Sequence, residues 1–378
     1  MKVVFAGCTS SYGHSFAAVN IKTKLMAQGL MLQGATCSIY DGLLGFGSEE
    51  ERFEEDGIEV VLPKRKGAVI TGELRNVPHF YRYLKVKKQR GDKNVLVLEL
   101  PLYHNYLSYV ICAKLLGYKI ATIAHEWPPT LVHINLYAKF SSWLYTKTFG
   151  KIVDGLLPIS EYIIKRISHF KKPYLKVPAL AEFPYSPIDY NNRRGGYFVY
   201  CASANYSRVA FLVIDAFAEY IKKGGAGKLC LILSGSDKAI DAICQRLKDL
   251  GVFGQADVHS KLPYEQLMDL YNNASALIIP LDPEYEQDTA RFPQKIAEYC
   301  STASPIITTN VGEAKVYFDD SNSLKAEFTP SSLAANMFWI DNHKQEAKNL
   351  GLNAYNMGKK NLDYKACGVS LFNFFNNL

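Results

Sequence analysis

Short apolar runs rich in β-branched residues alternate with longer stretches of helical period from one end of the chain to the other. In the first half VVFAG (3–7), TCSIY (36–40), NVLVLEL (94–100), KIATIA (119–124) and GLLPIS (155–160) predict strands, and SFAAVNIKTKLMAQG (15–29) and YLSYVICAKLLG (106–117) predict helices. In the second half YFVYCAS (197–203), KLCLILSG (228–235), ALIIP (276–280) and PIITT (305–309) alternate with helical stretches at 208–225, 238–251, 263–274 and 293–300. This alternation is the pattern of parallel α/β layers.

The pattern is interrupted by FPYSPIDYNNRRGG (183–196), a Pro, Asn and Gly cluster that predicts a linker. At 378 residues the chain exceeds one ordinary core and suits two domains of about 190 residues each. The expected fold is α/β, with two Rossmann-like domains facing each other across a cleft. The first spans residues 1–188 and the second 189–360, with a C-terminal helix at 361–378 packing back on the first. Open α/β sheets bind ligands beyond the carboxyl ends of their strands, so functional side chains are expected just after strands.

Composition narrows the classes. No stretch reaches the ~18 consecutive apolar residues that cross a bilayer. The start, MKVVFAGCTSSYGH, reads as a first core strand and not as a signal peptide, so a cytoplasmic location is expected. The eight cysteines are scattered without CxxC or Cys/His ligand spacing, which predicts reduced structural thiols and no metal site. Residues 1–190 carry 24 Lys/Arg against 16 Asp/Glu, and residues 191–378 carry 19 against 20, so the net charge of +7 arises in the first half. It gathers in PKRKG (63–67) and YRYLKVKKQRGDK (81–93). That suits peripheral contact with an anionic membrane, and equally a solvated helix face and loop. No nucleic-acid recognition module accompanies the charge, so nucleic acid is not an expected partner.

The most informative stretch is DTARFPQKIAEYCSTASPIITTNVGE (288–313). Pro293 suits the first turn of a helix, since it has no N–H to leave unpaired and its φ is already helical. Such a terminus points backbone N–H groups and partial positive charge into the loop before it, a setting for a diphosphate, with Arg291 beside it as a charged donor. Glu298, a turn and a half in, offers two acceptors to a vicinal diol such as ribose, and Gln294 shares its face. A surface ion pair with Lys295 is the plainer use of Glu298.

Here the sequence resembles the retaining glycosyltransferases of family four (glycosyl transferases group 1), which have the GT-B fold. The matching block reads R-F-P-x-K-x-x-E-Y, a small-residue turn, P-hydrophobic-hydrophobic-x-T and V-G-E, from Arg291 through Phe292 and Pro293 to Glu313. LPYEQLMDLYNNASALIIP (262–280) and GLLPISEYIIKRI (155–167) are lesser matches. The resemblance implies that Glu298 is the second Glu of the family's Glu-x7-Glu motif and binds the donor ribose. The first Glu, which contacts the donor sugar, falls at Ala290. Either Asp288 or Thr289 supplies the missing polar group, or the sugar is held differently.

Four further positions follow. His125 and Glu126 emerge at the end of KIATIA. The resemblance implies that His125 approaches the donor's sugar and phosphates, with Glu126 orienting it or receiving the acceptor's proton; a satisfied loop histidine is the alternative. In CTSSYGH (8–14), Gly13 permits close backbone approach to a phosphate or acceptor and His14 sits at a helix start, although a turn glycine explains the residue as well. In SANYSRVAF (203–211), where relatives place an Arg and a Lys against the diphosphate, the one cation is Arg208, which also reads as the solvated start of a helix. In DVHSKLPYEQ (257–266), the backbone near Ser260 and Lys261 is expected to read the nucleobase. The aromatic stretches LYHNYLSYV (102–110) and FSSWLYTKTFG (140–150) suit core packing, or an acceptor or membrane face. The absence of GxGxxG and GxSxG argues against a nicotinamide dehydrogenase and a serine hydrolase.

The expected activity is transfer of a hexosyl group from a nucleoside diphosphate sugar to an acceptor hydroxyl with retention, without metal or other cofactor. The acceptor implied is a saccharide or lipid-linked one in cell-surface polysaccharide or glycolipid synthesis. A GT-B nucleotide-sugar epimerase fits the same residues. So does a degenerate nucleotide-binding scaffold for a partner glycosyltransferase, a reading that Ala290 keeps open.

Overall fold

A computed structural model describes the chain except for residues 8–11, 13–17, 100–102, 128–135, 188, 190–194 and 261. It divides into two compact units, residues 1–180 with 363–378, and residues 181–362.

The first unit contains β1 (Lys2–Ala6), α1 (Ala18–Met31), β2 (Thr36–Tyr40), β3 (Glu51–Glu55), β4 (Ile58–Leu62), α2 (Val69–Lys87), β5 (Asn94–Leu98) and α3 (Tyr103–Leu115). It continues with β6 (Lys119–Ala124), α4 (Leu136–Ile152), β7 (Gly155–Pro158) and α5 (Glu161–Ile167). Its seven strands lie in the order β3-β4-β2-β1-β5-β6-β7. All pair in parallel except β3 with β4. β1 and β5 are buried along their whole length, as central strands covered on both faces must be. The antiparallel β3 has a local cause: Asp56 and Gly57 take φ of 50° and 78°, the two positive values that a tight two-residue hairpin turn requires. Its sequence ERFEE is charged and partly exposed, as an edge strand's should be.

Side chains alternate across this sheet. Val3, Phe5, Ile39, Val95 and Val97 pack in a cluster with Met26 and Leu30 of α1 and with Leu371 and Phe375. The latter two lie on the chain's last helix, α14 (Tyr364–Asn377). On the other face Tyr40 meets Phe80 of α2 edge-on (4.9 Å between centroids), Phe80 meets Tyr109 of α3 (4.7 Å), and Tyr106 meets Tyr145 of α4 (5.3 Å). The helices α2, α3 and α4 therefore form one continuous layer.

The second unit contains β8 (Tyr197–Ser203), α6 (Ser207–Lys222), β9 (Lys228–Ser234), α7 (Asp237–Asp249), β10 (Ala256–Ser260), α8 (Tyr264–Asn273) and β11 (Ala276–Ile279). After these come α9 (Glu286–Ala290), α10 (Gln294–Ser301), β12 (Ile306–Thr309), α11 (Ala314–Tyr317), β13 (Leu324–Ala326), α12 (Pro330–Asn342) and α13 (Lys344–Asn361). Six parallel strands run in the order β10-β9-β8-β11-β12-β13.

Each sheet reverses its winding once, between β1 and β5 in the first unit and between β8 and β11 in the second. The loops leaving a reversal diverge to opposite faces and open a crevice at the carboxyl edge, where α/β sheets bind ligands.

The α1–α14 crossing predicts a sensitive position. A Cβ on Gly368 would lie 2.2 Å from the Gly29 carbonyl oxygen, whereas one on Gly254 would meet nothing within 4 Å. Gly368→Ala is expected to cost about 1–3 kcal/mol by forcing the helices apart, and Gly254→Ala less than about 0.5 kcal/mol. Scanning calorimetry of the two variants checks this.

Candidate active site

In the second unit the site is built from the two loops that leave the β8/β11 reversal. The loop after β11 is anchored by Thr309, whose hydroxyl accepts from Leu281 N (2.8 Å) and donates to Leu281 O (2.7 Å). Asp282 follows, 3% exposed. Its backbone N–H donates to Asp288 Oδ2 (2.8 Å), its Oδ1 accepts from Glu284 N (3.0 Å), and its Oδ2 lies 3.1 Å from Arg208 Nη1. The other Arg208 nitrogen pairs with Glu284 at 2.7 Å. Asp288 Oδ1 in turn holds Arg291 Nη2 at 2.6 Å. Arg291 lies over the Tyr206 ring (4.8 Å) and donates to its hydroxyl (3.1 Å), which closes a circuit back to the loop after β8. Burial works against the charge of Arg291, but Asp288 and then Tyr206 more than offset it, so its pKa rises. The Arg291 Nε is buried without a hydrogen-bond partner.

Two close approaches explain smaller residues of the block. Gly312, at φ 55°, lies where a Cβ would come within 2.4 Å of Asp288 O. Gly351 of α13 likewise passes the Ala303 carbonyl, 2.2 Å from where its Cβ would be, so the missing side chain on α13 lets that helix reach the turn after α10. Phe292 stacks on Tyr317 at 5.0 Å and 5°.

α10 starts at Gln294, one residue later than expected. Pro293 is its N-cap, with φ −60° and ψ 131°, and its carbonyl accepts from Ile296 N at 3.0 Å. The ring fixes φ but leaves ψ free, so it fits the extended residue before the helix as well as the first turn. Glu298 is 4% exposed, which removes the surface ion pair as its explanation. Burial pushes its pKa up, while Lys295 and a hydrogen bond from Gln294 pull it back. The result is a carboxylate stripped of water, a strong acceptor for a ligand's hydroxyls.

In the first unit, the β1/β5 reversal gathers a second group. Glu99 follows β5, its N–H donating to Ala6 O (3.0 Å), and is 4% exposed. Its Oε1 accepts from Thr23 Oγ1 of α1 (2.8 Å) and lies 3.3 Å from His125 Nε2 at the end of β6, while its Oε2 is buried without a hydrogen-bond partner among the described residues. Lys22 is sealed below, donating to Val177 O (2.7 Å), and burial pulls its ammonium down to about 8 against the opposing pull of Glu99. Glu126 is exposed.

The sequence-derived residues thus fall into separate groups. Arg208, Asp288, Thr289, Arg291, Phe292, Pro293, Gln294 and Glu298 lie along the β8/β11 crevice and the helix it feeds, and His125 and Glu126 lie at the edge of the first sheet. Ser260 is exposed at the end of β10, while Gly13, His14 and Lys261 fall outside the described residues. Asp288 already has a protein partner on each oxygen, the backbone N–H of Asp282 on Oδ2 and Arg291 on Oδ1, and Ala290 itself is fully buried. Glu99, Asp282 and Tyr206 were not singled out from sequence. Each stands just after a strand, the one signal that pointed to His125.

Residues 196–340 match the family model described as "Glycosyl transferases group 1". The second unit carries a glycosyl transferases group 1 domain. None of the curated proteins matches the chain in sequence. Among solved structures, the sucrose-phosphate synthase of Thermosynechococcus elongatus is similar with a TM-score of 0.75 at 11% identity, over 100% of this chain and 98% of that one. Anabaena HepE in complex with UDP-glucose reaches 0.74 at 12%, over 100% of both chains. The pneumococcal O-GlcNAc transferase GtfA, in complex with UDP and GlcNAc, reaches 0.68 at 10%, over 100% and 99%. At such low identity these likenesses give the fold, which is GT-B. The circuit from Tyr206 to Arg291 and the Arg291-to-Glu313 block both lie within the matched residues.

Glu298 predicts a pH signature. A carboxylate whose folded pKa is raised costs stability once ionised, fully above that pKa and not at all below the ordinary carboxylate range. Glu298→Gln is therefore expected to raise the melting temperature of the ligand-free protein at pH 8, with the gain fading as pH falls into the acid range. Melting curves across pH check the sign.

Proposed function

We propose that the chain is a retaining hexosyltransferase that moves a sugar from a nucleoside diphosphate sugar to an acceptor hydroxyl. One observation carries the reading: Arg208, at the start of α6, and Arg291, just before α10, are far apart in sequence yet converge on one sheet reversal beside the N-terminus of α10, with the buried Glu298 one turn inside. Departure of a nucleoside diphosphate builds charge on its phosphates, and preorganised cations and helix N–H groups stabilise such charge. Glu298 would take the ribose diol and the backbone about Ser260 and Lys261 the base. The HepE complex with UDP-glucose and the GtfA complex with UDP and GlcNAc support a hexose donor of this class.

His125 and Glu126 are the proposed catalytic pair of the first unit, with Glu99 orienting the imidazole and Gly13 allowing close backbone approach. Retention without a dedicated nucleophile implies front-face attack. The acceptor oxygen bonds to the anomeric carbon as the bond to the phosphate oxygen breaks, and the acceptor's proton passes to the departing phosphate. The proposed acceptor is a saccharide or lipid-linked hydroxyl in cell-surface polysaccharide or glycolipid synthesis, reached from the cytoplasmic side of the membrane. Among the described residues no helix is long and apolar enough to cross a membrane.

Thermal shift against UDP, GDP, ADP and CMP is the test. A ligand at a hundred times its Kd adds about 2.7 kcal/mol, which moves the midpoint by several degrees. One diphosphate is expected to respond, and silence from all four overturns the reading. Glu298→Ala is expected to weaken the responding nucleotide about 10- to 100-fold, the worth of charge-assisted hydrogen bonds to a diol; unchanged affinity removes Glu298 from the site. Binding without transfer or hydrolysis of any donor would favour the scaffold reading suggested by Ala290, and an epimerised product without acceptor would identify an epimerase.

A further inference from the structure

The layer α2–α3–α4 turns Phe80, Tyr83, Tyr106, Tyr109, Tyr145 and Phe149 inward, and what it leaves outside is unusual in two respects. On α4 the inner stripe is Ser141, Ser142, Tyr145, Thr146 and Phe149, and the outer stripe carries Leu136, Phe140 and Trp143, exposed by 83%, 58% and 55%. Phe140 and Trp143 stack on each other at 5.9 Å. The outer faces of the neighbouring helices add Leu74 and Val86 on α2 and Ile111 and Leu115 on α3, each at least 55% exposed. Isolated surface apolar residues are ordinary, but seven on adjoining helices of one layer are not.

The second respect is charge. α2 carries four Lys/Arg, α3 one and α4 three, while the sole Asp or Glu in these helices, Glu73, is 4% exposed and so faces inward. Lys87 is paired with Glu59. Among the described residues, Arg75, Arg82 and Lys85 on α2 and Lys139 and Lys147 on α4 have no carboxylate partner. The outer face of the layer is thus a mixture of unpaired cations and protruding aliphatic and aromatic side chains.

We propose that this face docks the protein on an anionic phospholipid surface. Interfacial binding needs apolar side chains to enter the acyl boundary together with cations to meet the headgroups, since either signal alone is weak. Trp143 and Phe140 suit the headgroup level, and the neighbouring lysines can extend to phosphates while their stems cover apolar surface. A second copy of the chain is the poorer occupant, because a two-fold contact would set this single-sign face against itself. The proposal deepens the membrane-side part of the reading above but rests on different residues, so either can fail alone.

Vesicle flotation of the full chain tests it. Binding is expected to vesicles of phosphatidylcholine containing about a third phosphatidylglycerol, to fall with added salt, and to be absent with pure phosphatidylcholine. Each cation near the surface contributes about fivefold, so Arg75→Gln with Arg82→Gln and Lys85→Gln should lower partitioning about 100-fold. All three are exposed and belong to the first unit, whereas the nucleotide circuit is built wholly from residues of the second, so melting temperature and nucleotide response should be unchanged. Brominated lipid should quench tryptophan emission in the parent, and Trp143→Phe should abolish most of that quenching. No binding to the anionic vesicles, equal binding to both kinds, or parent-like binding by the triple variant each overturns the proposal. So does a dimer by light scattering that Phe140→Ser with Trp143→Ser dissolves.

Discussion

A buried ion pair between Arg291 and Asp288 governs the second unit's crevice. A guanidinium cannot be buried cheaply without a partner, and a carboxylate even less so. Asp288 meets this constraint by giving one oxygen to Arg291 and the other to the backbone N–H of Asp282. Asp282 is thereby held where it meets Arg208, and Arg291 where it meets Tyr206. Two loops that leave opposite sides of a sheet reversal become one rigid rim. Gly312 belongs to the same solution, because any side chain there would push into the Asp288 carbonyl.

The two arginines of this rim are not equivalent. Arg291 is three-quarters covered, stacked on an aromatic ring and paired at short range, so it is a fixed part of the site. Arg208 is 60% exposed, and its partner Glu284 is 74% exposed. Ion pairs as exposed as this one are weak, because solvent screens both charges. A diphosphate would therefore find one cation already in place and could draw the other from Glu284 at small cost. Without that exchange the rim's three carboxylates outnumber its two guanidiniums, a poor environment for an anion.

Much of this was legible in the sequence because it depends on period and punctuation. Fully apolar runs became central strands, and the Arg291-to-Glu313 block became the loop, helix, small-residue turn and strand that its residue types suggest. What escaped had signals of another kind. The β3–β4 hairpin is written in Asp56-Gly57, a turn dipeptide between charged and apolar runs that stands outside the parallel α/β pattern. α2 carries Pro78 in its interior, which reads as a break although the helix continues through it. Tyr206 and Asp282 are ordinary residues until folding brings their strands side by side, and only the strand order identifies them as neighbours. The basic segment 81–93, open to two readings, turns out to be the end of a helix and a loop, but a helix whose outer face also carries apolar residues.

Glu298 and Glu99 show what the fold spends on its two sheet edges. Each is a carboxylate 4% exposed, in different units, and neither has an arginine beside it to compensate. Glu298 has a lysine and an amide nearby, and Glu99 a threonine hydroxyl and an imidazole, with one oxygen left bare. A protein selected for stability alone would replace such groups with apolar residues of similar volume. Their retention at the carboxyl edge of a sheet is explained if the missing hydrogen bonds come from a hydroxylated ligand. In that case the free energy withheld from the folded chain is recovered on binding, and it is recovered only by ligands that present hydroxyls at those points.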